Sequence, residues 1–527
     1  VSARIPPVLR PEHPAPRSLA RLVQEFGLEH RGSLDGVEVT GVTVRTNEVQ
    51  PGDLFAGIPG RNAHGASFAV DAAEAGAVAI VTDAAGADLA EPSGLPVVLV
   101  DDPRAALGDV AAWVYRTGGA ASEGTRPPLL FGTTGTNGKT STSYLLEAVL
   151  RQLGLVTGLS STAERHIGDL TVVSRLTTPE ASEMHALLAR MRESAVRAVA
   201  IEVSAQALTW SRVDGIVFDV VAFTNLSHDH LDDYADMEEY FQAKVPLFQP
   251  DRAKRGVVCL DTAYGARLVE ESRVPVTTIA TVGHATPADV DSAEWVVEVL
   301  DESAAFTEFR LSGPEGRSLV TREPLIGWHM AANAALAIVM LVEAGFELEA
   351  IGAALDADGG IQAYLPGRTE RVSGDRGPSV YVDFGHSPDA FENTLGAVRK
   401  FTTGRTIMVF GADGDRDATK RHEMARVAAQ GSDILVITDH HPRFEDAASI
   451  RATLLEGAAL ATDQPEEIHE VSPPEAAIRR AVSLAREGDS ILWAGPGHQD
   501  YRDIEGVRTP YSARDEARAA LREAGWA

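Results

Sequence analysis

The segment GTTGTNGKT, residues 132 to 140, joins a short apolar run to a helical one. Gly135 and Gly138 allow successive backbone N–H groups, including those of Thr136 and Asn137, to curl around phosphate oxygens. Lys139 can reach the terminal phosphates, and Thr140 puts a hydroxyl where Mg²⁺ would sit at a helix N-terminus. Strict phosphate-loop spacing asks for glycine at position 133, which is Thr133, so the pattern is a variant. Glu202 closes the apolar run AVAIE, and strand ends of open α/β sheets present their residues to a crevice. FTNLSHDHLDDY, residues 223 to 234, packs two histidines (one of them His230) and three aspartates behind another apolar run. Such oxygen and imidazole donors suit Mg²⁺ or Mn²⁺. Lys244 stands alone in the apolar segment YFQAKVPLF; on its own it reads as a helical lysine carrying its charge to the surface along its stem.

These groups need a scaffold of some size. The 527 residues correspond to about three or four domains at ~150 residues each. With 44% hydrophobic and 23% charged residues, each domain can bury a normal core, which excludes a disordered chain. Lys and Arg number 47 against 76 Asp and Glu, a formal charge of −29; so acidic a surface repels phosphate backbones and excludes general nucleic-acid binding. The single cysteine, Cys259, excludes an internal disulfide framework and a thiolate zinc site, and fits a reducing, cytoplasmic setting. No apolar run approaches the ~18 residues of a membrane span, and the longest, 334–342, reads as a buried helix. The first 17 residues hold five prolines and no apolar signal core. They predict a mobile arm leading into a helix near 18–26 rather than a secretory signal.

Three blocks follow. Residues 1–124 alternate short apolar runs with Ala-rich stretches, predicting a small α/β domain that ends in a Gly/Ser/Pro linker at 118–128. Residues 125–365 alternate strands and helices, predicting a mostly parallel sheet covered on both faces, with helices at 141–153, 331–343 and 348–355. Residues 366–527 carry the runs SVYVDF, TIMVFG, DILVIT and SILWAG, again a doubly wound α/β pattern.

Taken in order, these motifs resemble the Mur ligase family, and within it the branch that adds the third residue of the muramoyl peptide of peptidoglycan. VRTNEVQPGDLFAGIPG and NAHGASF lie in the first block. TTGTNGKT, LTTPEA, EVSAQAL, FTNLSHDHLDDY and the AK-to-LF pattern lie in the second. VDFGHSPDAFENTL, VFGADGDRDATKR, DHHPRFED and AGPGHQDY lie in the third. The resemblance implies a three-domain α/β architecture: a nucleotide-sugar domain, a central P-loop NTPase-like domain and a C-terminal Rossmann-like domain. It implies ATP-dependent amide formation through an acyl phosphate, on UDP-N-acetylmuramoyl-dipeptide and a free amino acid, by a cytoplasmic monomer.

The resemblance also carries residue roles. Lys139, Glu202, His230 and Lys244 match catalytic positions. Thr140, Glu202, His230 and Lys244 match Mg²⁺ positions, Lys244 as a carbamate derived from CO₂. Asn333, Arg368 and Asp383 match further ATP contacts, although a companion asparagine of Asn333 is Met330 here. Thr46, Asn47, Asn62, Ala63, His64, Thr177, Thr178, Ser204 and Arg212 match the UDP-muramoyl-dipeptide site. Thr46-Asn47 stand where the family usually has Ser-Arg, and Trp210 where a glutamine is common. Arg416, His440, His441, Arg443, Gly495 and Gln499 match the pocket for the incoming amino acid. Diaminopimelate-using relatives carry Asp-Asn-Pro-Arg at the positions held by His440, His441, Pro442 and Arg443, and a glutamate at the position of Gln499. Loss of both acids removes two charge-assisted bonds of about 1.5–3 kcal/mol each. The pocket is therefore expected not to select by a distal ammonium. The expected third residue is not diaminopimelate but a neutral one such as homoserine, or a shorter diamino acid. Two other readings are another Mur-type amide ligase and a catalytically silent paralogue that keeps the fold.

Overall fold

Apolar runs that alternate between two covered faces build the largest sheet of the protein. The computed structural model describes residues 8–60, 62–118 and 127–526, so most of the linker expected at 118–128 lies outside the described residues. Among these, the chain forms three main sheets of five, eleven and six strands. In the eleven-stranded sheet seven neighbours run parallel, in the order Thr157–Ser160, Ala198–Glu202, Leu129–Thr134, Val220–Phe223, Gly256–Cys259, Val276–Thr281 and Trp295–Ser303. Antiparallel strands close both edges. Side chains alternate across a strand. Phe131, Ala200 and Ala222 thus face the helices Lys139–Gln152 and Trp328–Glu343, while Ile201, Val221 and Phe223 face the helix Ala181–Glu193 and the Phe241–Phe248 stretch. Each large apolar side chain so buried contributes about 1.5–3 kcal/mol. The helices expected at 141–153 and 331–343 start two and three residues earlier than read.

The six-stranded sheet runs Glu370–Arg371, Ser379–Asp383, Ser490–Ala494, Thr406–Phe410, Ile434–Ile437, Glu467–Glu470, parallel except for the first. Helices Pro388–Lys400, Arg421–Gly431 and Ala447–Ala458 pack on one face, and Pro474–Leu484 with Ala513–Glu523 on the other. This is the doubly wound arrangement expected. The N-terminal sheet adds a strand not read from the sequence, Asp53–Gly57, between Gly41–Thr43 and Ala79–Thr82.

The proline-rich arm departs from expectation. Residues 1–7 lie outside the described residues, but from Val8 onward the arm is docked. Arg10 donates to both oxygens of Asp53 at 2.7 and 2.8 Å, and the backbone N–H groups of Glu12 and His13 donate to Glu193. Asp53 is 1% exposed, and a buried carboxylate needs a counter-charge; Arg10 supplies it, so the arm cannot swing free.

Candidate active site

The central strand Leu129–Thr134 lies between Ala198–Glu202 and Val220–Phe223, all parallel. Their carboxyl ends therefore open side by side, and each feeds one candidate segment: the Gly-rich loop, Glu202, and the loop 224–234. In the Gly-rich loop Gly135 and Gly138 have φ of +147° and +86°. A Cβ on Gly135 would lie 1.9 Å from Thr224 Oγ1, and one on Gly138 would lie 2.5 Å from Asn333 Oδ1. Both positions thus demand glycine sterically as well as conformationally.

Lys139 Nζ donates to the carbonyls of Gly135 (2.9 Å) and Thr136 (2.7 Å). Lys244 Nζ donates to the same Gly135 carbonyl at 3.2 Å and lies 4.3 Å from the Tyr240 ring centroid. Lys244 is 1% exposed and follows the helix Met237–Gln242 rather than lying within it. The expected surface-reaching helical lysine is corrected: its neighbours Tyr240, Phe241, Leu247 and Phe248 are core residues that draw it inward. Burial, reinforced by the charge of Lys139, holds the Lys244 amine well below the usual lysine range. Burial also lowers Lys139, against the pull of Glu202 and Asp229.

Glu202 is fully buried and accepts from Thr162 N at 2.8 Å and Thr162 Oγ1 at 2.9 Å. His230 has φ +58°. Gln206 Nε2 donates to its Nδ1 at 3.3 Å, leaving Nε2 free of that contact. Burial, then the charge of Lys139, pushes His230 down to about 4 against Asp229, so the ring is neutral and able to ligate at pH 7.

The C-terminal sheet closes over this cleft. Arg368 donates to Thr140 Oγ1 at 2.7 Å and covers Phe384. Asn137 Nδ2 reaches Asp389 Oδ2 at 3.0 Å. Lys420 Nζ pairs with Asp229 at 2.5 Å, and His386 lies 3.5 Å from the same carboxylate. Asn333 accepts from Thr142 Oγ1 at 3.3 Å and contacts Met330 Sδ at 3.8 Å. Asp383 already accepts from Thr369 N (2.7 Å) and Gly385 N (2.6 Å), so it shapes the turn beneath Arg368.

On the opposite flank, Thr177 Oγ1 lies 3.0 Å from Thr162 Oγ1, and Thr178 Oγ1 donates to the Glu202 carbonyl at 2.8 Å. Ser204 caps its own short helix by accepting from Ala207 N. Arg212 is held by Glu180 at 3.1 Å and stacks on Trp210. Thr46 and Asn47 form a short 3₁₀ turn with Glu48, which Arg175 ties to the Thr177–Thr178 segment. Asn62, Ala63 and His64 follow the neighbouring strand, His64 Nε2 lying 3.2 Å from Asp83.

Of the third pocket, His440, His441, Arg443, Gly495 and Gln499 come together at the ends of adjacent parallel strands. Arg416 is exposed, and its charge acts on Asp232. Reading the sequence missed Thr162, Asp229, Lys420, Asp389 and Asp413. All but Thr162 lay inside quoted motifs, but only the fold brings Asp229 and Lys420 2.5 Å apart.

Fold and cleft together describe a three-domain nucleotide-dependent enzyme. Three family models match in register: the Mur ligase family catalytic domain at 38–115, the Mur ligase middle domain at 133–341 and the Mur ligase glutamate ligase domain at 367–497. The chain is 63% identical to the UDP-N-acetylmuramyl-tripeptide synthetase of Leifsonia xyli, over 99% of each chain. It is 43% identical to the UDP-N-acetylmuramoyl-L-alanyl-D-glutamate–2,6-diaminopimelate ligase of Streptomyces avermitilis, over 98% of each. A solved diaminopimelate ligase of that same name shares the fold at TM-score 0.64 and 24% identity, covering 95% of this chain and 99% of that one. The chain belongs to the Mur ligase family, and is an ATP-dependent amide-forming ligase of the three-domain α/β type.

Proposed function

We propose that the protein joins the third amino acid to UDP-N-acetylmuramoyl-L-alanyl-D-glutamate during peptidoglycan synthesis, in the cytoplasm and as a monomer. The 63% identical relative named tripeptide synthetase supports this, and one observation of geometry carries it: Lys139 and Lys244 converge on a single carbonyl at the mouth of the Gly-rich loop. A carboxylate cannot expel oxide, so the D-glutamyl carboxylate first takes the terminal phosphoryl group, and the incoming amine then displaces phosphate. In that first step two anions meet, and Lys139 and Arg368 supply positive charge beside the loop. Thr140 would hold one Mg²⁺ once Arg368 turns from its hydroxyl to the phosphates, and Glu202, neutral His230 and Lys244 would hold a second once Lys244 carries a carbamate. That group forms when the neutral amine adds to CO₂ and releases a proton, which turns a repelling cation into an anionic ligand. Mg²⁺, when bound there, would neutralise the meeting anions and polarise the transferred phosphoryl group.

Thr46, Asn47, Asn62, Ala63, His64, Thr177, Thr178, Ser204 and Arg212 would line the path of the UDP-muramoyl-dipeptide. Arg416, His440, His441, Arg443, Gly495 and Gln499 would receive the amino acid. Divisions after residues 124 and 365 would separate the three lobes. The test is phosphate release from ATP. It should require both the UDP-muramoyl-dipeptide and an amino acid; release that ignores either one, or none at all, would leave the silent-paralogue reading standing.

A further inference from the structure

Asp413 follows the strand Thr406–Phe410, and His440 follows its parallel neighbour Ile434–Ile437. Adjacent parallel strands bring the two side chains together, and Asp413 Oδ1 lies 2.6 Å from Nδ1 of His440. Its second oxygen lies 3.5 Å from an Arg443 nitrogen. Burial opposes the charge on Asp413, yet the hydrogen bond from His440 and the nearby charge of Arg443 hold its carboxyl below the usual carboxylate range. An ionised carboxylate only accepts, so Nδ1 of His440 carries the hydrogen. Nε2 of His440 is buried and makes no hydrogen bond among the described residues. It lies 3.8 Å from where a Cβ would stand on Gly495, so it faces the space that this glycine leaves open.

His441 behaves differently. Its Nδ1 accepts from Asp503 N at 2.9 Å, so its Nε2 carries the hydrogen and donates to Gln499 Oε1 at 2.8 Å. Burial pushes it down to about 3, and it stays neutral. The carbonyl of Gln499 is therefore taken, and the amide offers only N–H groups elsewhere. Ligand atoms of Asp413, His440 and His441 lie within 4.8 Å of one another, a spacing that suits a metal ion. With both nitrogens of His441 already bonded, however, the cluster holds two separate hydrogen-bonded pairs rather than a metal centre.

We propose that Asp413 selects the third amino acid, as a positioning residue that aims His440 Nε2 at the tip of the incoming side chain and occupies Arg443 in place of a second substrate carboxylate. The proposal rests on the ligase reading above and names its substrate class. An acid at position 440, as in the relatives, would end near where His440 Nδ1 now lies. The imidazole carries the acceptor further into the pocket by the width of a ring, which shortens the side chain that fits. A substrate with a distal carboxylate would meet Asp413 and find Arg443 engaged. The class is thus an L-amino acid with a short side chain ending in a hydrogen-bond donor, 2,4-diaminobutyrate or homoserine.

The full chain, ATP, Mg²⁺ and UDP-muramoyl-dipeptide are given an equimolar pool of diaminobutyrate, homoserine, ornithine, lysine and diaminopimelate, and the products are weighed by mass spectrometry. Four-carbon products should exceed the others by about tenfold or more. Asp413→Asn should raise the amino-acid KM about 30-fold, the loss of one charge-assisted bond, with the ATP KM unchanged. The double exchange Asp413→Asn with His440→Asp moves the same charge back toward the backbone. It should shift the product toward lysine or ornithine, a gain that misfolding cannot mimic. Lysine or diaminopimelate dominating in the wild type would overturn the proposal. So would an Asp413→Asn enzyme with unchanged KM and product ratio, or a double variant with unshifted preference. No product from any amino acid would instead sink the ligase reading, and this proposal with it.

Discussion

Two lysine amines point at one carbonyl oxygen, and Lys244 is the more deeply buried residue of the two. Lys244 is enclosed by Tyr240, Phe241 and Phe248 and sits beside a second cation, so its charged form is doubly disfavoured. A neutral amine at that point is a nucleophile toward CO₂, whereas a guanidinium is not. Lys244→Arg fixes a positive charge there and forfeits the carbamate. Phosphate release by this variant should fall by about a hundredfold or more. Carbon-13-labelled bicarbonate should give a carbamate resonance in the wild type that the variant lacks. A variant at near-normal rate would remove the carbamate from the account.

Among the elements, the edge hairpin of Glu164–Ile167 and Leu170–Val173 is tied to the loop helix Lys139–Gln152 by a compact charged cluster. His166 Nδ1 bonds Glu147 at 2.7 Å, and its Nε2 lies 3.3 Å from Glu164. Tyr144 donates to Glu164 at 2.8 Å. Burial opposes the imidazolium, but hydrogen bonds to Glu147 and Glu164 outweigh it and push His166 up to about 9. A folded-state pKa above the ordinary 6.5 contributes stability that is complete below about pH 6.5 and lost as pH rises through about 9. The amount is on the order of 3 kcal/mol. Urea midpoints of the wild type and of His166→Gln should therefore differ most near pH 6 and converge above pH 9.5. Parallel offsets at every pH would show that the cluster does not titrate in this window.

At the scale of the whole molecule, the lobes are latched across the cleft by Asp229 with Lys420 and His386, by Arg368 with Thr140, and by Asn137 with Asp389. Burial opposes the Asp229 charge, and the hydrogen bond from His386 together with Lys420 holds the carboxyl well below its ordinary range. Removing Lys420 would strip this buried anion of its closest partner, a loss of about 3–5 kcal/mol in comparable buried pairs. Lys420→Ala should then populate an open arrangement, read as a larger radius of gyration in solution scattering, with kcat falling while the ATP KM changes little. An unchanged scattering profile would mean that the remaining contacts suffice to hold the lobes.

The strand–loop–helix unit at 129–152 was legible because its signal is local. An apolar run, two glycines forced into positive φ and a Lys-Thr pair occupy consecutive positions, and backbone sterics at each admit few alternatives. The doubly wound character of the last block was legible for the same reason, since period and punctuation are properties of neighbours in sequence. Lys244 was misread alone because burial is decided by what packs around it, and Tyr240, Phe241 and Phe248 close over it only in the fold. Asp413 lay inside the quoted segment VFGADGDRDATKR, but nothing local told its role: its partner lies 27 positions away, after a strand that becomes its neighbour only when the sheet forms. The N-terminal arm read as loose because its prolines are local, while the charge that pins Arg10 is Asp53, which becomes buried only when its strand joins the sheet. The sequence alone determined which chemistry this protein can do, since that depends on residue types and short-range backbone geometry. The tertiary structure decided which groups share a pocket and which amine loses its water, because proximity and dielectric belong to the packed chain.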